Sequence, residues 1–594
     1  VEETFGEDPT LVARLGVAVV RGLQGRGEPG DPIAPDRVLA CAKHFVGHGQ
    51  PQGGANGAPV QLGERELRED HLRPFAAAVA AGVGAVMVAY HDLDGVPMHV
   101  NAPWLLGVLR EELGFRGMVT SDGFGVPQLA RLHRVAADAE DAMADALAAG
   151  LDCEVPRPVG APGLGARLAD GRVRREDVRR AARNVLAQKA RLGLLPSSAG
   201  AGAATDAPVP HVDREAHAAL ARESAERSAV LLTNDGTLPL DPDALTRVLV
   251  CGPNAAGPHL GGYCDPSATG VSVLAGLRER LGAAAVVTAE GCRITAEPAG
   301  PATWWDDRVA LADPAEDDDR IAEAVAAAAG ADVVVAVVGG NEGTHREGWW
   351  FDHLGDRPDL TPPGRQEELV ERLAATGVPV VAVVLGGGPM DLSRIAGAAR
   401  AVLWCGYPGE AGGHAVARLL VGDVAPTGRL PVTFPRTVGR VPQHAGQRPS
   451  AGRAPLHGDG EPLFRLGHGL TYGELAHHVV DPGPARLDLP AVTAGAAFEV
   501  VVEVHRTGPA THEVLRLHVD DPVASVTRPV GRLADLASVP IGPDGRATVL
   551  LRAGRDALDL LDRDLVRRVE PGRFVLTVAG TGWSERLEVE VLPG

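Results

Sequence analysis

Short apolar runs and longer stretches with apolar residues at helical spacing alternate along residues 1–195. The runs "VLACAKHFV", "GVGAVMVAYH", "GMVTSD" and "GLDCEV" predict strands. Between them "GERELREDHLRPFAAAVAAG" and "AEDAMADALAAG" predict amphipathic helices. Such βα alternation predicts a parallel sheet or barrel, here with about half of the eight βα units that a closed barrel needs. The stretch "LPSSAGAGAATDAPVP" is small, polar and rich in Pro and Gly, which predicts a linker over 196–210. From 211 to 440 the runs "RVLVCGPN", "ADVVVAVVGG", "VPVVAVVLGGG" and "RAVLWCGYPG" are almost continuously apolar. They predict strands buried on both faces and covered by helices such as "DDRIAEAVAAAAG". A Gly/Pro-rich crossing segment fills 441–478. Over 479–594 the period changes to two, as in "FEVVVEVHR" and "HEVLRLHV", which predicts a β-sandwich of the immunoglobulin or fibronectin kind.

Composition narrows the class. The 594 residues are 45% apolar and 23% charged, ordinary for several globular domains, and no apolar run is long enough to span a membrane. A net charge of −20 disfavours nucleic acid and anionic membrane as partners, so a neutral substrate is expected. The six cysteines show neither CxxC nor metal-ligand spacing; they read as buried thiols and point to a reducing, cytoplasmic setting. Of 57 basic residues only Lys43 and Lys189 are lysine. Lysine is a compact point charge suited to a narrow pocket. Lys189 lies in an ordinary helical context, whereas Lys43 closes a strand.

Four places carry candidate chemistry. In "FRGMVTSDGFGV" a carboxylate, Asp122, stands where a strand stops. Such a group needs a cation or several donors. Ser121 or Asp122 as a simple helix cap is the alternative to a catalytic role. In "AKHFVGHG" Lys43 and His44 end another strand and could keep Asp122 ionised. The segment "GGNEGTHREGWWFDHLGDR" sets carboxylates beside Trp349 and Trp350, a combination suited to sugar rings and their hydroxyls. The fourth is "AYHDLDGVP", again at a strand end.

The ordered set "EETFGEDP", "KHFVGHG", "MVAYHDLDGVP", "LLGVLREELGFRGMVTSD", "LLTNDGTLPL", "GDVAPTGRLPVTFP" and "PLFRLGHGLTYG" resembles the family 3 glycoside hydrolases, β-glucosidases and β-xylosidases among them. The resemblance implies a multidomain α/β plus all-β protein: a partial (β/α)8 TIM-type barrel, an α/β sandwich and a C-terminal fibronectin type III-like domain that braces the other two. It implies a retaining exo-acting β-glycosidase with Asp122 as nucleophile and Glu347 of "HREGWW" as acid/base; Glu342 of "GGNEG" is the alternative acid. Retaining enzymes set these two carboxyl groups about 5 Å apart. By the same resemblance Lys43, His44, Tyr90 and Met87 bind the glycone. The expected partner is an oligosaccharide or an aryl or alkyl β-glycoside, with no metal or other cofactor; a homodimer is left open.

Two departures from the family pattern stand out. Gly123 occupies the position after the nucleophile where the family often has an aromatic residue, with Phe124 next. The family's barrel also begins well ahead of "EETFGEDP", so an early aspartate and an arginine of its sugar site find no match, and the sequence reads as a fragment. A catalytically impaired carbohydrate-binding or scaffold protein is therefore one rival reading. A β-N-acetylhexosaminidase is another, since "KHFVGHG" with His48 resembles those enzymes, although "QPQGGANGAP" lacks their Asp-His pair. The Gly turns after the buried strands suggest nucleotide binding, but no P-loop or GxGxxG opens a helix.

Overall fold

The structure, a computed structural model, describes residues 3–195, 212–350 and 352–594; the predicted linker at 196–210 lies outside the described residues. The chain divides into two compact bodies, Pro9–Val212 and, together, Val1–Asp8 with Asp213–Gly594. Residues 3–8 thus belong with the second body, not with the barrel-like segment that follows them.

The first body opens with helix α1 (Pro9–Gln24) and, beside a short hairpin of Asp92–Leu93 with Val96–Pro97, carries the main strands β1 (Cys41–Phe45), β2 (Ala85–Val88), β3 (Met118–Gly123) and β4 (Cys153–Val155). They form one parallel sheet in the order β1-β2-β3-β4. Gln24 at the end of α1 ties the sheet edge together: its Oε1 accepts from Ala40 N and Gly84 N at 3.0 and 2.9 Å. Helix α2 (Leu72–Ala80) precedes β2, and α3 (Ala139–Ala149) precedes β4. The Asp138 carboxylate caps α3 by accepting from Asp141 N at 2.8 Å, which satisfies a donor that the first turn leaves open. Phe45, Val86, Val88, Val119, Leu109 and Leu147 form the core under this sheet. Asp152 fixes the entry to β4. Its carboxylate accepts from Arg110 Nη2 at 2.6 Å, Val119 N at 2.8 Å and Asn184 Nδ2 at 3.0 Å.

The second body contains a six-stranded sheet built from β5 (Val230–Asn234), β6 (Val248–Cys251), β7 (Val286–Ala289), β8 (Val333–Gly339), β9 (Val380–Leu385) and β10 (Ala401–Gly406). The order is β5-β10-β9-β8-β6-β7, and only β5 runs antiparallel to its neighbour. All seven residues of β8 and all six of β9 are buried, which explains their unbroken apolar sequence. The β-sandwich follows, with a three-stranded and a five-stranded sheet enclosing Phe498, Val502, Leu517, Phe574 and Leu576. Its first strand, Glu474–Asp481, pairs with Phe498–Thr507, so the sandwich begins ahead of the expected residue 479. A buried ion pair joins it to the preceding segment: Arg429 Nη2 meets Glu513 Oε2 at 3.3 Å.

Residues 3–8 join the second body through Glu7. Its carboxylate accepts from Thr433 N at 2.9 Å, Thr433 Oγ1 at 2.6 Å and Ala445 N at 2.9 Å, and its own N–H donates to Pro431 O.

Candidate active site

In the first body the chemistry collects at the carboxyl end of the parallel sheet, where strands release their side chains into the βα loops. Asp122 stands at the end of β3 with its side chain 13% exposed. Its Oδ1 accepts from Gly123 N at 2.7 Å, and its Oδ2 faces His44 Nε2 at 3.3 Å. The Asp122 N–H points at His99 Nε2, 3.4 Å away. Gly125 makes room for that ring, since a Cβ there would lie 2.4 Å from His99 Nε2. Asp122 does not cap the next helix. The cap of Gly125–Arg131 is Phe124, in a left-handed conformation at φ 56° and without a side-chain bond.

Burial raises the Asp122 pKa to about 6; the Gly123 N–H, the Lys43 charge, His48 and Tyr90 pull the other way. Burial also drives His44 well below its ordinary value, with His48, Lys43 and His91 adding to the effect. His44 is therefore a neutral imidazole, and the expectation that it would serve as a second cation for Asp122 is corrected: Lys43 is the charge that acts most strongly on the carboxylate. Above pH 6 the carboxylate is mostly ionised even so. Tyr90 donates its hydroxyl to Gly123 O at 2.7 Å and so fixes the peptide next to Asp122. Met87 lies on β2 opposite Thr120, two residues short of Asp122 in the β3 sequence. Sequence reasoning did not assign His99 a role and met His48 only as a point of likeness to hexosaminidases. The His48 ring sits 4.1 Å from that of His44, centroid to centroid. The "GHG" stretch was a signal for His48; for His99 the sequence offers none.

The second body presents the loop that leaves β8. Gln366 secures its root, accepting from Gly339 N at 2.7 Å and donating to Gly339 O at 2.8 Å. Glu342 is fully buried. Its Oε2 meets His259 Nδ1 at 3.0 Å, and its Oε1 accepts from Leu260 N at 2.9 Å and Gly261 N at 3.2 Å. Burial would raise its pKa, yet His259 and the backbone donors outweigh it and hold the carboxyl below its ordinary value. A carboxylate so committed is a poor proton donor. Glu347, five residues on, is half-buried, as are Trp349 and Trp350. The Trp349 ring lies 5.2 Å from that of His353. Gly355 permits the loop to fold back on itself, because a Cβ there would come within 2.7 Å of the Glu347 carbonyl carbon and Gly348 N. Among the described residues no group of three or more His, Cys, Asp or Glu could hold a metal ion.

Three family descriptions match the chain: the glycosyl hydrolase family 3 N-terminal domain over residues 1–187, its C-terminal domain over 229–472, and a fibronectin type III-like domain over 513–581. The chain belongs to glycosyl hydrolase family 3. A β-xylosidase from Formosa agariphila is 35% identical to this family 3 hydrolase over 99% of the chain and 80% of its own length. A periplasmic β-glucosidase from Salmonella typhimurium is 32% identical over 96% of the chain and 75% of its own. Among solved structures, a β-glucosidase from Erythrobacter marinus matches with a TM-score of 0.90 at 36% identity, covering 98% of this chain and 78% of that one. A Listeria innocua β-glucosidase in complex with isofagomine matches with a TM-score of 0.84 at 26% identity over 100% and 80%. These relatives favour glycoside hydrolysis over a scaffold role.

Proposed function

We propose that this family 3 hydrolase removes terminal, non-reducing β-D-glucosyl or β-D-xylosyl residues by double displacement. The Asp122 carboxylate attacks the anomeric carbon while Glu347 gives its proton to the departing glycosidic oxygen. The C–O bond to the aglycone breaks as the bond to Asp122 forms. Glu347, now a carboxylate, takes a proton from water, whose oxygen displaces Asp122 and releases the sugar with its original configuration. Lys43 and neutral His44 bind glycone hydroxyls; Tyr90 and Met87 line the same pocket. The observation that carries this reading is Asp122 itself. Its carboxylate is buried at a strand end, with one oxygen held by the Gly123 N–H and the other turned toward an uncharged imidazole. The Lys43 charge favours its ionised, nucleophilic form.

Trapping tests it. A 2-deoxy-2-fluoro-β-glucosyl fluoride, or its xylosyl counterpart, should inactivate the enzyme and leave one added sugar on the peptide that contains Asp122, read by mass spectrometry. A label on another carboxylate would reject Asp122 as nucleophile. Absence of any hydrolysis of aryl β-glucosides and β-xylosides would reject the activity.

A further inference from the structure

Arg346, the residue just before Glu347, has an unusual set of partners. Its side chain is buried, at 5% exposure, yet it makes no bidentate carboxylate pair among the described residues. Its guanidinium instead donates to backbone carbonyls of a single neighbouring turn. Nη1 reaches Thr303 O and Trp304 O at 3.0 Å each and also Asp306 O, while Nη2 reaches Asp307 O at 3.4 Å. Two further bonds tie the same loop to the same turn: His353 Nε2 to Trp304 O at 2.9 Å, and Leu354 N to Asp307 O at 2.8 Å. His353 also lies against the Glu347 backbone. The turn therefore grips both flanks of Glu347, from residue 346 on one side and 353–354 on the other.

The chemistry of a fork explains the choice of residue. Only a planar group with several fixed donors can satisfy three or four carbonyls of one turn at once; a lysine ammonium cannot span them. Carbonyls so satisfied, that of Trp304 buried, hold the loop in one geometry. General acid transfer depends on that geometry, and displacement by about 1 Å can cost about 100-fold.

We infer that Arg346 is a positioning residue for the acid/base. Through its bonds to the 303–307 turn it sets where the Glu347 carboxyl points. This rests on the assignment of Glu347 as acid/base, and the experiment separates the two. In the full-length enzyme kcat/KM is measured for R346M, R346K and E347Q with 2,4-dinitrophenyl β-glucoside, whose leaving group needs no proton, and with phenyl β-glucoside, whose leaving group does. The dinitrophenyl substrate also reports whether each variant is folded and binds sugar. E347Q should lose about 100-fold or more on the phenyl substrate and under about tenfold on the dinitrophenyl one. R346M should repeat this selectivity, about 30-fold against under about threefold, with R346K between R346M and wild type. Equal losses on both substrates for the Arg346 variants, or no loss on either, would overturn the inference while a selective E347Q keeps the assignment intact. An E347Q variant that loses equally on both overturns the assignment instead.

Discussion

Two buried carboxylates, Asp122 in the first body and Glu342 in the second, are treated in opposite ways. Both are withdrawn from solvent. Asp122 keeps one hydrogen-bonded oxygen and an uncharged His44 beside the other, and its pKa rises to about 6. Glu342 takes two backbone N–H groups and His259, and its pKa falls. Burial alone therefore does not mark a reactive acid. Its partners decide: a carboxylate saturated with donors is structural, and one left short of them is available for bond formation.

The sharpest way to break this contrast is by substitution. Asp122→Asn should cut turnover of aryl glycosides about 1,000-fold or more, measured as kcat, because the nucleophile is gone. Glu342→Ala should act on stability instead, lowering it by about 3 kcal/mol in denaturation because His259 and two N–H groups lose their partner. Azide added to Glu342→Ala should give no rate rescue; rescue would return Glu342 to the acid role. The pH dependence has opposite signs at the two sites. Asp122 has a raised folded-state pKa, so its ionisation costs stability as the pH climbs from about 4 through about 6. Asp122→Asn should therefore melt higher than wild type at pH 8, by about 1–3 kcal/mol, and the gap should close by pH 4. Glu342, with a lowered pKa, stabilises the protein above the unfolded carboxylate range and loses that contribution as the pH falls through its folded value. For activity, kcat/KM should fall about tenfold per pH unit below about 6 as Asp122 takes up its proton. The smallest expected effect is that of Tyr90→Phe. Loss of its bond to Gly123 O should cost about 1 kcal/mol in kcat/KM, a factor of about five.

Much of this was legible in sequence because the signals are local. The runs around Cys41–Phe45, Ala85–Val88, Met118–Gly123 and Cys153–Val155 announce their strands by short apolar stretches between helical patterns, and Lys43, His44, Tyr90 and Asp122 sit at or near the ends of such runs. The buried runs of β8 and β9 are equally plain. What escaped depends on distant chain segments. His99 reaches Asp122 only because Gly125 leaves a gap for its ring. His44 reads as a cation beside a carboxylate, but the apolar enclosure that discharges it is assembled from several elements. The hold on Glu342 comes from His259, 83 residues earlier, and has no local signal. Arg346 gave no sign in sequence, since its partners are backbone carbonyls, which every residue carries.

The grip on Glu7 has a consequence for how the molecule can be taken apart. Residues 3–8 are held by the second body although Pro9–Val212 stands between them and Asp213 in the sequence. A cut after Val212 would leave residues 3–8 bonded to Thr433 and Ala445 through Glu7.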